Sequence, residues 1–181
     1  LNPALNMSGD QNGMTNRLAA HDIRTGKLKW HLGGPAGQHA LRLAETFFLG
    51  PPLPLLGHLY VLGETKNEIR LMALDGATGE LIWSQQLALA EQSVAQDSLR
   101  RCAGVSPSYS DGILICPTGN GAIVAVELAT RSLLWGYCYS QDRGLRRANG
   151  FSSAGSHDNE PRWGGGSVTI AEGRVLITPI E

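Results

Sequence analysis

A short pattern occurs three times in this chain at almost constant spacing. The copies run Ala20 to Trp30 (AHDIRTGKLKW), Ala73 to Trp83 (ALDGATGELIW) and Ala125 to Trp135 (AVELATRSLLW). Their common frame is Ala-x-Asp/Glu-x-x-Thr-Gly/Arg-x-Leu-x-Trp, and the tryptophans stand 53 and 52 residues apart. A repeat of this length is too long for one strand pair or one helix. It implies a small supersecondary unit that is copied and stacked, because a single unit cannot bury its own apolar face.

Each position in the frame has a physical use in a hairpin. Leu71–Leu74 and Ile123–Val126 are apolar, β-prone runs of strand length. Asp75 and Thr78 flank the reversal, where short oxygen-bearing side chains can bind nearby backbone N–H groups. Gly79 follows, at a position suited to positive φ. Leu81 and Trp83, two residues apart, share one face of the returning strand. Asp22, Thr25, Gly26, Leu28 and Trp30 repeat this logic. The third copy has Glu127 for Asp and Arg131 for Gly, so its turn is expected to be longer, differently bonded or mildly strained.

A weaker pattern precedes each frame. Residues 54–62 align with 107–116 and with 168–177, sharing Gly57, Gly112 and Gly173 between a short strand and an apolar one. A whole unit is then about four antiparallel strands with a Trp on the last, which is the composition of a β-propeller blade. The fold class expected is all-β, a partial propeller of about three blade equivalents forming a single segment over 1–181. Blades occupy 45–90 and 102–140, and blade remnants occupy 14–34 and 163–181. Closed propellers have four to eight blades. Three equivalents imply either continuation into further blades or self-association, two copies completing a six-bladed ring.

With these residues in view, the chain resembles the pyrroloquinoline-quinone (PQQ)-like, tryptophan-docking repeat family of β-propellers, and in particular large bacterial PQQ-like repeat proteins. The likeness covers most of residues 14–181. It implies that Trp30, Trp83 and Trp135 dock between neighbouring blades, and that the protein is bacterial and extracytoplasmic. That family includes the scaffold lipoprotein of outer-membrane β-barrel assembly as well as quinoprotein dehydrogenases. The dehydrogenases hold PQQ with Ca²⁺ at the ring axis, use a catalytic Asp, and many carry adjacent cysteines.

Tested residue by residue, the dehydrogenase reading finds little in this chain. Cys102, Cys116 and Cys138 are not adjacent to one another. Asp22, Asp75 and Glu127 occupy turn positions, and Asp111 and Glu172 precede turn glycines. The expected sites are therefore no catalytic residue, no metal ligand set and no identified cofactor residue. PQQ with Ca²⁺ is implied only by the family. The function expected is a non-catalytic binding scaffold whose partner is another protein. The alternative is a segment of a PQQ-dependent dehydrogenase with its catalytic residues elsewhere.

Other features carry less. A formal net charge of −1 gives no electrostatic case for nucleic acid or an anionic membrane. The most apolar stretch, 47–62, is too short and too rich in Pro to span a bilayer as a helix. Residues 84–101 favour one or two helical turns between blades. The loop 140–162 holds His157, Asp158 and Glu160, weighed as metal ligands against a solvated loop, and Arg143, Arg146 and Arg147, weighed as an anion site against the same. Cys116 lies in an apolar strand and reads as a buried thiol. A Cys102–Cys116 disulfide is open to the chain in an oxidising compartment. Asn120-Gly121 is expected to form a type I′ hairpin turn.

Overall fold

The computed structural model describes residues 15–37, 39–139 and 167–178. Two complete blades and two half-blades make up these residues. The first half-blade pairs β1 (Arg17–His21) with β2 (Leu28–Gly33). The second unit contains β3 (Phe47–Phe48), β4 (Leu53–Leu55), β5 (His58–Thr65), β6 (Glu68–Asp75) and β7 (Leu81–Leu89). A 3₁₀ turn (Val94–Gln96) and helix α1 (Ser98–Cys102) follow. The third unit is β8 (Ser108–Ser110), β9 (Ile113–Pro117), β10 (Ala122–Glu127) and β11 (Ser132–Cys138), and the last half-blade is β12 (Thr169–Ala171) with β13 (Arg174–Leu176). All pairings are antiparallel, and the third unit has the order β11-β10-β9-β8. This is an all-β partial propeller.

Alternation along the strands explains how the sheets stack. Successive side chains point to opposite faces. Tyr60, Leu62, Ile69, Leu71 and Ala73 therefore face the third unit and join Leu114, Cys116, Val124 and Val126 in one core. Val61, Met72 and Leu74 point the other way, onto Leu32 and Phe48. Ile115, Ile123 and Ala125 turn towards Val168 in a third core. Because the central strands are covered on both faces, they read as continuous apolar runs rather than as alternating ones.

The first strand of the second unit is split. Both β3 and β4 pair with β5, with Pro51 and Pro52 between them. Neither proline has an N–H to give to a ladder. Just before them, a Cβ at Gly50 would lie 2.2 Å from the Val105 carbonyl oxygen, so glycine is what lets the inter-blade link pass so close. The other edge of β3 is completed by a side chain: Asn16 Nδ2 donates to the Phe48 carbonyl and Asn16 Oδ1 accepts from the Phe48 N–H, both at 2.7 Å.

One local expectation is corrected and one is refined. Asn120-Gly121 is not a type I′ turn. Thr118 N–H bonds Ala122 O across three residues, with positive φ at Gly119 and Gly121 but not at Asn120. The Thr118 hydroxyl also donates to that carbonyl and accepts from Asn120 N–H, which holds the longer loop. Paired positive φ values, the mark of type I′ hairpins, occur instead at Leu56-Gly57, Lys66-Asn67, Asp111-Gly112 and Glu172-Gly173. In residues 84–101 the helical turns exist, but they begin at Val94, because the edge strand β7 continues through Leu89. The loop 140–162 lies outside the described residues.

Candidate functional site

The repeated turn is the most regularly built feature. Asp22 Oδ1 accepts from Arg24 N–H (3.1 Å), Thr25 N–H (2.9 Å) and the Thr25 hydroxyl (2.9 Å). Asp75 Oδ1 accepts in the same way from Ala77 N–H, Thr78 N–H and the Thr78 hydroxyl. These bonds favour the charged carboxylate. For Asp22 the Thr25 hydroxyl bond is the main cause of a pKa below the ordinary 3.8, and for Asp75 the Thr78 N–H bond is. Gly26 and Gly79 then take φ near +70°. In the third copy Glu127 accepts only the Thr130 hydroxyl at this turn, and Arg131 occupies the left-handed position at φ 61°. That turn is therefore differently bonded and mildly strained, at the same length. A register shift one residue after each frame alanine (Ala20, Ala73, Ala125) recurs in all three copies.

Tryptophans meet these turns in sequence along the stack. A Cβ at Gly79 would lie 2.8 Å from the Trp30 ring, so the ring of the first unit rests on the glycine turn of the second. Arg131 of the third turn places its guanidinium 5.6 Å from the Trp83 ring centroid, within cation–π range. Tyr60 lies beside the same indole at 6.1 Å. The contact that glycine makes at Gly79 is replaced by a cation at Arg131, and the guanidinium helps to offset the left-handed backbone. Trp135 is 42 % exposed.

A second polar construction ties the inter-blade link to the strands. Glu64, buried at the end of β5, accepts Val94 N–H at 2.7 Å through Oε1 and pairs with Arg100 through Oε2. Arg100 also donates to the carbonyls of Gly119 (3.2 Å) and Gln92 (3.0 Å). Asp97 caps α1 by accepting from Leu99 and Arg100 N–H. Sequence reading missed this network. Its one local signal was Asp97 in an N-cap position.

Among the described residues no three His, Cys, Asp or Glu side chains come together in a way that could hold a metal ion. Asp22, Asp75 and Glu127 are engaged in their turns, and Asp111 accepts the Ser110 hydroxyl. Among the described residues, none of these four carboxylates belongs to a cluster that could hold a metal ion. His157, Asp158, Glu160, Arg143, Arg146 and Arg147 lie outside the described residues. All three cysteines are free, Cys102 and Cys138 exposed and Cys116 buried, so no Cys102–Cys116 disulfide forms. Burial pushes the Cys116 thiol up to about 12. The end of the second unit that carries the Leu56-Gly57 and Gly76-Ala77 turns has a shallow apolar concavity lined by Pro54, Leu55, His58 and Leu59. Leu56 and, on the first copy's turn, Ile23 are exposed apolar residues at turn tips. No helix among the described residues is long and apolar enough to cross a membrane.

Comparison with known proteins gives a family match over residues 7–161, to the PQQ-repeat model described as outer membrane protein assembly factor BamB. The dehydrogenase subunit of a quinone alcohol dehydrogenase from Gluconobacter oxydans (strain 621H) is 28 % identical over 154 residues, which is 83 % of this chain and 17 % of that protein. Among solved structures, BamB from Moraxella catarrhalis matches with a TM-score of 0.47 and 21 % identity over 69 % of this chain and 35 % of that one. A europium-containing methanol dehydrogenase matches with a TM-score of 0.44 and 15 % identity, over 67 % of this chain and 29 % of that one. The chain thus spans between about a sixth and about a third of the length of these relatives.

Proposed function

The chain belongs to the PQQ-repeat β-propeller family whose model is described as outer membrane protein assembly factor BamB, and on that premise we propose that it is a non-catalytic binding scaffold for another protein. The observation that carries this reading is the use made of its carboxylates. Those of Asp22, Asp75, Glu64 and Asp97 accept backbone N–H groups and hold turns, a link and a cap. A general base or metal ligand needs a carboxylate with lone pairs aimed into open space. The turn tips offer apolar side chains, Leu56 and Ile23, which suit a protein partner better than a small polar substrate. The family description supports an extracytoplasmic, bacterial setting.

The second reading, part of a PQQ-dependent dehydrogenase with its catalytic residues elsewhere, is favoured by the 28 % identity to a quinone alcohol dehydrogenase subunit. One titration, made on the full-length protein that carries this chain, separates the two. PQQ is added with Ca²⁺ while tryptophan fluorescence and dye-linked alcohol oxidation are followed. The scaffold reading expects no saturable quenching and no turnover. Saturable, Ca²⁺-dependent quenching accompanied by turnover would overturn it in favour of the dehydrogenase.

A further inference from the structure

Asn16, Asn67 and Asn120 are the asparagines among the described residues, and they are held very differently. Asn16 engages the Phe48 backbone through both amide atoms at 2.7 Å, and Asn67 Nδ2 donates to the Ala90 carbonyl at 3.2 Å. Asn120 Nδ2 reaches the Leu89 carbonyl at 3.5 Å, the outer limit of a hydrogen bond. The next residues differ as well. Arg17 and Glu68 put a side chain beside the main-chain nitrogen that follows Asn16 and Asn67, whereas Gly121 puts none. Glycine also precedes Asn120, and φ is 65° at Gly119 and 79° at Gly121. Flanking glycines leave the backbone on both sides of Asn120 few steric barriers to rotation. Among the described residues, nothing accepts the Gly121 N–H.

We propose that Asn120 is a site of spontaneous deamidation, and that the change loosens the seam between the second and third units as the protein ages. In the first step the Gly121 nitrogen bonds to the side-chain carbonyl carbon of Asn120 and closes a cyclic imide. The bond from that carbon to Nδ2 breaks, and Nδ2 leaves as ammonia with the proton given up by Gly121. Water then adds to one of the two ring carbonyls, and the ring C–N bond at that carbonyl opens. Opening on the side-chain side gives aspartate. Opening on the main-chain side gives isoaspartate, in which the chain runs through the former side chain. Both reacting groups lie in adjacent residues, and water is the co-reactant. Asp75 and Asp111 also precede glycine, but an ionised carboxylate is a poor electrophile at neutral pH, and Asp75 is tied by three hydrogen bonds.

The loop that reacts is a joint between units. The Gly119 carbonyl accepts Arg100 Nε, the Asn120 amide meets Leu89, and the Gly121 carbonyl accepts Tyr139 N–H. Isoaspartate adds a methylene to the main chain between the first and the last of these bonds, so they cannot all keep their geometry. A carboxylate in place of the amide sets an acceptor against the Leu89 carbonyl with no donor between them. Gly121 is buried, so the attack runs through transient opening of the loop and is slower than in an unfolded chain. The inference does not depend on the scaffold reading, because the reaction uses only this loop and water.

The test is peptide mapping by mass spectrometry of the full-length protein that carries this chain, aged in warm, mildly alkaline buffer, with a urea-unfolded sample in parallel. The expected result is that the peptide containing Asn120 gains the mass of an amide NH₂ exchanged for OH, and that fragmentation places the change at that residue. It should resolve into aspartate and isoaspartate forms and convert at least tenfold faster than the peptides containing Asn16 and Asn67. Amide hydrogen exchange over residues 89–105 should quicken in the aged protein, and stay slow in an Asn120→Gln variant aged alongside. Conversion confined to the unfolded sample overturns the proposal, because the fold then holds the loop unreactive. So does conversion no faster than at Asn16 and Asn67. Conversion with unchanged exchange over 89–105 overturns the claim that the seam loosens. The PQQ titration reads none of these outcomes, so either idea can fail without the other.

Discussion

Arg100→Met is the most informative single perturbation of the fold. The side chains of Arg100 and Glu64 are 5 % and 2 % exposed, and they pair 36 residues apart in sequence. Methionine preserves much of the volume and removes the cation. It leaves the Glu64 carboxylate facing no opposite charge and strips the Gly119 and Gln92 carbonyls of their donors. Removing one partner of a buried pair costs about 3–5 kcal/mol, because the remaining charge stays desolvated. At roughly 2–4 °C per kcal/mol for a chain of this size, Tm should fall by roughly 6–20 °C. Urea unfolding gives the free energy directly. Adding Glu64→Gln removes the orphaned charge while an amide oxygen still accepts Val94 N–H, so the double variant should regain about half of the loss. A cost for Arg100→Met below about 1 kcal/mol, or a double variant less stable than the single, would refute the claim that the pair is buried and mutually dependent.

Two further predictions follow the repeat. Trp83→Ala removes a ring held between Tyr60 and Arg131 and should cost about 3 kcal/mol, on the scale of a large aromatic lost from a core; a urea-derived change below about 1 kcal/mol would show that Trp83 is not docked. Stability should also fall as pH drops below the ordinary carboxylate value of 3.8, because Asp22 and Asp75 titrate lower when folded than when unfolded. Their contribution is complete above 3.8 and is lost as pH falls through the folded values. Asp75→Asn should flatten that acid limb in a Tm-versus-pH series, and an unchanged limb would contradict the assignment.

The 52–53-residue frame was legible because it encodes local chemistry. An Asp three residues before a Thr, with a Gly after it, writes its own hydrogen bonds within six residues, and the Trp follows on the same strand. The alternation of apolar residues then fixes which side chains share a face. Neither rule reaches across blades. Nothing near Glu64 names Arg100 as its partner, and nothing near Gly50 shows that Val105 passes within 2.2 Å of a Cβ there. The three-residue loop at 119–121 escaped because Asn-Gly suits a tighter turn equally well, and the Thr118 hydroxyl decided between them.

From the sequence alone came the all-β class, the repeating unit, the turn chemistry and the identity of the docking tryptophans. The first three rest on short-range backbone bonding and strand periodicity, and the docking role of the tryptophans on the resemblance to the PQQ-like repeat family. Only the tertiary structure decided what two of the repeat tryptophans meet: a glycine turn for Trp30 and a guanidinium for Trp83. The reason is that those contacts join residues about 50 positions apart, where only the stacking of one sheet on the next can bring them together.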